Sequence, residues 1–230
     1  MIKENLDQVK KNIEKSSQIR PSAEKNTKVT LIAVTKNHGV EAMREAIDAG
    51  VDAIGENRIQ EATEKFAVLD RKVTRHLIGH LQTNKVKQAV QLFDLIHSVD
   101  SVHLAEELNK AAGKAGKIQD ILLQVNLAKE ESKFGLNQED LSAVYAQADQ
   151  WEHLRLRGLM CIAPNYQDIE MTRPLFREMY QIYREMKTVE FKTARIEYLS
   201  MGMSHDYTIA VEEGANIVRV GTAIFGQRQY

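Results

Sequence analysis

The most reactive candidate in this 230-residue sequence is a lysine that directly follows a run of apolar residues. Lys36 ends the segment LIAVTK, so its side chain is expected to leave a buried strand and enter the space beyond it. Burial lowers the pKa of a lysine ammonium, and the neutral amine attacks a carbonyl carbon to form a Schiff base. The alternative for Lys36 taken alone is a side chain that extends into solvent at the end of a strand.

Two short segments near the end of the sequence have residue types that suit a phosphate group. In SMGMS, from Ser200 to Ser204, Gly202 permits close approach of the backbone and Ser204 offers a hydroxyl group. This segment runs into a predicted short helix, whose first amide groups favour anions. Gly221 and Thr222 offer another close approach after the last strand. Turns that only join elements are the alternative for both segments.

A lysine together with a phosphate site indicates a phosphorylated carbonyl ligand, either a sugar phosphate, as in a Schiff-base aldolase, or pyridoxal 5′-phosphate. Arg219 lies two residues before Gly221, so strand alternation directs both side chains to one face. A guanidinium inside a barrel needs a partner, which is either a carboxylate such as Glu197 or the pyridine nitrogen of pyridoxal phosphate. Since arginine only donates hydrogen bonds, it would leave that nitrogen unprotonated and weaken the ring as an electron sink.

The other chemical candidates are weaker. Asn57, in the segment GEN, is a candidate for the phenolic oxygen of the ligand or for a helix N-cap. His76 and His80 are four residues apart but flank a predicted strand, and no cluster of further ligands accompanies them, so no metal site is expected. Cys161, the only cysteine, resembles a small core residue and fits a reducing compartment. Residues 129–131 are expected to be solvated charge.

Alternating short apolar runs and longer amphipathic runs predict the elements that position these residues. The predicted strands cover residues 29–35, 52–55, 75–79, 95–99, 118–126, 156–161, 196–200 and 217–220. The predicted helices between them cover residues 40–49, 59–69, 84–92, 101–115, 138–150, 172–188 and 204–214. Eight alternating units predict an α/β fold, a single (β/α)8 TIM barrel, whose active sites lie at the carboxyl ends of the strands. A doubly wound open sheet is the alternative, but the expected G-x-G-x-x-G fingerprint is absent.

The barrel is expected to form a single domain over residues 1–230, in which residues 1–28 contribute an extra N-terminal helix and a linker. The net charge of −1 gives no global field that would attract nucleic acid or an anionic membrane. The first residues are charged and lack the apolar region of a signal peptide, and no apolar run is long enough to span a membrane. We therefore expect a cytoplasmic protein.

Several long motifs, in order along nearly the whole chain, resemble the pyridoxal-phosphate homeostasis protein family. This family is similar in fold to the barrel domain of bacterial alanine racemase. The motifs are LIAVTK (31–36), IGENRIQE (54–61), HLIGHLQTNK (76–85), LLQVNLAKEESKFG (122–135), LRGLMCIAP (156–164), LSMGMSHDY (199–207) and VRVGTAIFGQR (218–228).

The resemblance implies that Lys36 holds pyridoxal 5′-phosphate as a Schiff base, Arg219 faces the pyridine nitrogen and Asn57 lies near the ring. The segments implied to bind the phosphate contain Ser200, Gly202, Ser204, Gly221 and Thr222. Members of the family bind the cofactor and are linked to balancing its supply, without robust turnover. Two positions depart from the family pattern: Gly39 stands where a proline is usual, and His205 where a small or acidic residue is usual.

Two classes of function remain open, a cofactor binder and an amino-acid racemase, and the binder is favoured. Racemisation needs a base on each face of the Schiff base. In the racemase resemblance a partner subunit supplies the second base, and a C-terminal β domain supports the dimer. The sequence ends at Tyr230, about ten residues after the last predicted strand, so that domain is not expected. We therefore expect a monomer whose possible protein partners are pyridoxal-phosphate-dependent apo-enzymes. The aldolase is the least favoured alternative because it has no use for Arg219.

Overall fold

The computed structural model describes residues 1–130 and 133–227 and confirms the predicted barrel. Eight parallel strands pair in sequence order and close when the last pairs with the first. Glu131 of the predicted charged segment lies outside the described residues. Arg228, at the end of the last motif, also lies outside them. The strands are β1 Thr30–Val34, β2 Ala53–Glu56, β3 Thr74–Leu77, β4 Leu95–Val99, β5 Gln119–Val125, β6 Leu154–Cys161, β7 Tyr198–Met203 and β8 Ile217–Val220.

Helices surround the barrel, as the amphipathic runs predict. They are α1 Ile2–Ser17, α2 Val40–Asp48, α3 Ile59–Val68, α4 Val86–Leu92, α5 Val102–Lys114, α6 Gln138–Tyr145, α7 Arg173–Met186, α8 Tyr207–Glu212 and α9 Thr222–Phe225. Helix α1 is the expected extra N-terminal helix. Within the described ranges, no helix has the length and apolar character that a membrane crossing requires.

The helix predicted over residues 138–150 ends early, at Tyr145, and is followed by a separate 3-10 turn over residues 148–150. Other differences from the predicted boundaries lie after the sixth strand. Strand β7 continues to Met203, because its pairing with β8 shifts register and Gly202 adopts a φ of +93° that keeps the chain in the sheet. The next helix begins at Tyr207 rather than residue 204, because the Asp206 carboxylate accepts a hydrogen bond from Met203 N and closes a turn first. Helix α9 is an additional short helix that the apolar pattern does not predict.

The interior of the barrel contains two kinds of side chain. One layer is a small apolar cluster, separate from the large core that lies between the strands and the helices. Its members are Ile32, Ala53, Leu95, Leu122, Met160 and Ile217. Several other interior side chains are polar, and Arg219, which is beside Ile32 in the β1–β8 register, is among them. Strand alternation therefore places a guanidinium within the barrel.

Helix α1 packs against the two helices that follow β7 and β8. Leu6 and Val9 are buried on its inner face. Asn5 Nδ2 donates to the carbonyl of Ile224 in α9 at 2.9 Å, and Asn12 Nδ2 donates to Tyr207 Oη in α8 at 2.8 Å. The N-terminal helix is thus a support for the segments at the carboxyl ends of β7 and β8.

We predict that Leu6→Ala destabilises the barrel by about 2–4 kcal/mol, because it removes apolar contacts and leaves a cavity beneath α1. Urea unfolding measures this change. Ile19→Ala is the matched control, since Ile19 is 67% exposed and its truncation is expected to change stability by at most about 0.5 kcal/mol. Equal losses in the two variants would show that α1 does not support the barrel.

Candidate ligand site at the carboxyl ends of the strands

Lys36 lies two residues beyond β1, at the mouth of the barrel. It has the same alternation as Ile32, which faces the interior, and its side chain is half-buried. The intervening Thr35 points the other way, and its Oγ1 donates to Glu56 Oε1 at 2.6 Å. The strand thus directs Lys36 toward the barrel mouth and anchors the preceding residue behind it.

A buried ionic cluster outside the barrel wall holds the segment on both sides of Lys36. Lys65 Nζ lies 2.8 Å from Glu56 Oε1 and 2.6 Å from Glu61 Oε1, and it donates to the Thr35 carbonyl at 2.7 Å. Asn37, whose φ of +62° is left-handed, donates its backbone N–H to Glu61 Oε1 at 2.5 Å. Burial raises the pKa of Glu56, against the opposing effect of Lys65. The sequence analysis missed this cluster, although Glu61 and Lys65 have helical i, i+4 spacing.

Asn57 follows β2 and borders the same mouth. Its backbone lies against Gly79 so closely that a Cβ at Gly79 would be 2.2 Å from the Asn57 carbonyl oxygen. Its side chain does not cap α3, since Arg58 occupies the N-cap position. Among the described residues, the buried Oδ1 of Asn57 has no hydrogen-bond partner. A buried acceptor of this kind marks a place where a bound group can complete the hydrogen bonding.

The segments after β7 and β8 meet through Ser204. Its Oγ accepts hydrogen bonds from the backbone of Gly221 at 3.0 Å and of Ala223 at 3.3 Å. The prediction that Ser204 lies at the start of the helix after β7 is therefore wrong, because its hydroxyl is at the start of α9, where Thr222 begins the helix. Close packing of the protein requires a glycine at position 202, because a Cβ there would be 2.5 Å from Ala210 Cβ. The expected role of Gly202, to leave the backbone open to a ligand, is not the reason.

Arg219 is only 3% exposed and lies inside the barrel. Its guanidinium donates to Ser200 Oγ at 2.5 Å and to the Cys161 carbonyl at 2.8 Å. The alternative prediction, that Glu197 is the partner of Arg219, is wrong, because the Glu197 carboxylate pairs with Arg157. Within the described part of the chain, no carboxylate is at salt-bridge distance from Arg219. The charge is thus held by neutral groups.

Hydrogen bonds connect Arg219 through Ser200 to two buried histidines. Its Oγ is 3.0 Å from His97 Nδ1, and His97 Nε2 is 2.9 Å from His76 Nδ1. Burial lowers the pKa of His76 to about 4. Burial also lowers the pKa of His97 well below its usual value, and the nearby His76 and Arg219 add to the effect. Both rings are therefore neutral at neutral pH, and His97 is a site residue that the sequence analysis missed.

Other side chains at the mouth contact one another. His80 stacks on Phe134 with the ring centres 3.6 Å apart, and its Nδ1 is 3.5 Å from Asp100 Oδ2. His38, two residues after Lys36, stacks on Phe225 of α9. Burial raises the pKa of the Cys161 thiol to about 12, which leaves it in the unreactive thiol form. No group of metal-ligating side chains occurs within the described residues.

Comparisons with known proteins match this chain over almost its whole length. A family model described as the alanine racemase N-terminal domain matches residues 5–229. The pyridoxal phosphate homeostasis protein of Aquifex aeolicus (strain VF5) is 39% identical over 228 residues, which are 99% of this chain and 98% of that protein. This chain belongs to the pyridoxal phosphate homeostasis protein family.

Solved structures agree with this membership. PipY of Synechococcus elongatus PCC7942, solved without and with PLP, is 41% identical, with TM-scores of 0.86 and 0.84 over 98% of this chain and 100% of PipY. Alanine racemase from Streptomyces lavendulae is 20% identical, with a TM-score of 0.69 over 98% of this chain and 58% of the racemase. The second likeness is one of fold alone.

The fold of this homeostasis family member places most of the predicted site residues close together. Those at the mouth are Lys36, Asn57, Ser204, Gly221 and Thr222. Arg219 and Ser200 lie deeper in the barrel, and Ser200 Oγ contacts the guanidinium rather than the amides that Ser204 binds. Ser200 is thus placed differently from the other residues implied to bind the phosphate.

The two departures from the family pattern have simple surroundings. Gly39 is the N-cap residue of α2, with a φ of −70° and nothing within 4 Å of a would-be Cβ. That φ is close to the value fixed by a proline ring, so the backbone already has the conformation that the usual residue would impose. His205 is exposed, and its Nε2 is 3.1 Å from the Tyr166 carbonyl.

We predict that burial of His76 makes the fold sensitive to acid. The unfolded chain binds a proton at His76 below about pH 6.5, whereas the folded protein binds it only near its pKa of about 4, so stability falls as the pH decreases through this window. His76→Gln removes this titration and should reduce the stability loss between about pH 7 and pH 4.5 by about 2–3 kcal/mol. Urea unfolding at several pH values measures the difference.

The control for the acid prediction is the same substitution at an exposed histidine. His103→Gln, on α5, should leave the pH dependence of unfolding as it is in the wild type. An unchanged pH dependence in His76→Gln would contradict the assignment of His76 as a buried neutral ring.

Proposed function

We propose that this protein binds pyridoxal 5′-phosphate as a Schiff base on Lys36 and serves to hold and supply the cofactor with little or no turnover. The observation that carries the proposal is the placement of Lys36 and Arg219 on neighbouring strands of one barrel. Ile32 is paired with Arg219 in the register, and Lys36 lies four residues further along, roughly 13 Å for extended chain. A ligand with an aldehyde and a ring nitrogen suits the space between an amine and a guanidinium.

The polar groups around the mouth fit the remaining groups of that cofactor. The buried Oδ1 of Asn57, which has no partner among the described residues, can accept a hydrogen bond from the phenolic O–H. The Ser204 hydroxyl, whose oxygen accepts from the amides of Gly221 and Ala223, keeps its own hydrogen to donate to the phosphate. A Cβ at Gly221 would be in ordinary van der Waals contact with Val34, at 3.4 Å. PipY of Synechococcus elongatus, 41% identical, is solved with PLP bound, which supports the same ligand for this chain.

The cofactor, when bound, supplies an aldehyde for imine formation and a ring that withdraws electrons. Lys36 supplies the amine, whose nitrogen replaces the aldehyde oxygen, and that oxygen leaves as water. Arg219 donates to the ring nitrogen and accepts nothing, so it supplies no proton to that nitrogen under ordinary conditions. A ring held in this way is a weak electron sink, which favours storage over turnover.

We also propose which partners the protein serves, where it acts and in what oligomeric state. A site that holds the cofactor through one reversible covalent bond can release it again, which suits delivery to pyridoxal-phosphate-dependent apo-enzymes. We propose that the protein acts in the cytoplasm as a monomer.

We predict that Lys36→Ala abolishes covalent attachment of the cofactor, because no other amine is directed into the mouth by β1. The wild type should show a visible absorption band that borohydride bleaches, and peptide mapping should find the pyridoxyl group on Lys36. Lys110→Ala, which removes an exposed lysine paired with Glu107, is the control and should behave as the wild type. A borohydride-stable adduct that persists in Lys36→Ala would refute the assignment.

We predict that Ser204→Ala weakens binding of pyridoxal phosphate by about 10- to 150-fold, because one hydrogen bond to a charged group contributes about 1.5–3 kcal/mol. Binding of pyridoxal, which lacks the phosphate, should change little, so the ratio of the two dissociation constants is the measurement. Ser101→Ala is the matched control, since Ser101 Oγ also accepts a backbone N–H, from Leu104, at the start of α5. An equal loss for both ligands would contradict a phosphate role for Ser204.

A further inference from the structure

We infer that Ser200, His97 and His76 form a directed hydrogen-bond chain that positions the Arg219 guanidinium for its ligand. The inference rests on the proposed function, because it assigns a role to residues that contact the cofactor-facing arginine and not the cofactor itself. Ser200 and the two histidines are positioning residues in this proposal. They are 0%, 0% and 5% exposed, in the order Ser200, His97 and His76, so solvent does not compete for their hydrogen bonds.

The direction of the chain follows from the chemistry of its first member. Arg219 can only donate, so Ser200 Oγ accepts from the guanidinium across 2.5 Å. The Ser200 hydroxyl hydrogen is then available for the nitrogen on its other side, His97 Nδ1, at 3.0 Å. A hydroxyl oxygen can accept two hydrogen bonds, but its hydrogen has no other acceptor among the described residues, so we assign His97 Nδ1 as that acceptor. Since a neutral imidazole has one donor and one acceptor nitrogen, His97 carries its hydrogen on Nε2.

The same logic fixes the second histidine. His97 Nε2–H donates to His76 Nδ1 across 2.9 Å, so His76 also carries its hydrogen on Nε2. His76 lines a cavity of about 270 Å³ at the amino-terminal end of the barrel, whose walls include the carboxylates of Asp94 and Asp120. The chain thus runs from a cationic group inside the barrel to a donor at the opposite entrance. Each member presents its electron-rich side toward Arg219.

This arrangement explains how an arginine is held inside the barrel without a carboxylate partner. A carboxylate at the position of Ser200 would neutralise the guanidinium and draw it away from a ligand. The neutral hydroxyl and the Cys161 carbonyl instead fix two guanidinium N–H groups and leave the charge available. The histidines in turn fix the hydroxyl, because His97 accepts its hydrogen. Loss of any member frees the guanidinium to rotate within a site that must present one N–H group to a ring nitrogen.

The chain can be tested without the cofactor by ¹⁵N NMR of histidine side chains in the apo protein. The inference requires His97 and His76 to be neutral at about pH 7 with hydrogen on Nε2. A ring with hydrogen on Nδ1, or a doubly protonated ring, at His97 would overturn the direction of the chain. The wild-type protein need not bind any ligand for this result to be read, so a failure of the proposed function is distinguished from a failure of the chain.

Positioning of Arg219 is tested by cofactor binding in matched variants. Ser200→Ala and His97→Leu should each raise the dissociation constant of pyridoxal phosphate about tenfold and shift the absorption band of the bound form, because the ring nitrogen loses an oriented partner. His97→Gln should restore both properties, since its amide accepts from Ser200 and donates to His76 in the same direction.

The control is Ser98→Ala, which removes a buried hydroxyl from the same strand, one that has no hydrogen-bond partner among the described residues. It should leave the affinity and the absorption band unchanged. A merely structural role would lower the denaturation midpoint of Ser200→Ala and His97→Leu while leaving their affinity and spectrum at wild-type values, and that result would overturn the inference. Failure of His97→Gln to recover affinity, in a protein that folds, would overturn it as well.

Discussion

Burial of a guanidinium charge inside a closed parallel barrel is the constraint on which the site depends. A charge removed from water is costly unless polar groups replace the lost solvation. In this chain the replacement is made of neutral groups on three other strands: the carbonyl of Cys161 on β6, the hydroxyl of Ser200 on β7 and the ring of His97 on β4. The interior of the barrel therefore combines an apolar layer with a polar network in which Arg219, Ser200, His97 and His76 are linked in that order.

Three separate sets of contacts hold the groups around the Arg219 guanidinium in place. The ionic cluster of Lys65, Glu56 and Glu61 lies behind the Lys36 segment, on the outer side of the wall. The interior histidines lie below Arg219. Helix α1 lies outside α8 and α9 and bonds to α9 through Asn5. None of these supports occupies the mouth, so the space between Lys36 and the β7 and β8 segments remains available to a ligand.

The strand pattern and the barrel could be predicted because the apolar runs are short, β-branched and separated by helical periodicity. The same alternation that made Lys36 a candidate at the mouth also placed Arg219 inside. His97 was missed because LIHSV was predicted only as a strand and its side chains were not assigned to a face, although alternation alone puts His97 on the same face as Leu95. The partner of Ser204 could not be predicted, because the hydroxyl crosses from the β7 segment to amides seventeen residues later in sequence. Such contacts depend on how two loops meet, which local patterns do not encode.

The position of α1 has a consequence for how the protein is made. Helix α1 is synthesised long before its partners α8 and α9, and the Asn5–Ile224 hydrogen bond spans 219 positions. Contacts of such separation form late, since closing a long loop is entropically costly. The amides of Gly221 and Ala223 lie in the same later-synthesised region. A nascent chain thus has α1 and its reactive lysine long before it has the anion site, and the ligand meets a complete pocket only when α1 has come together with α8 and α9.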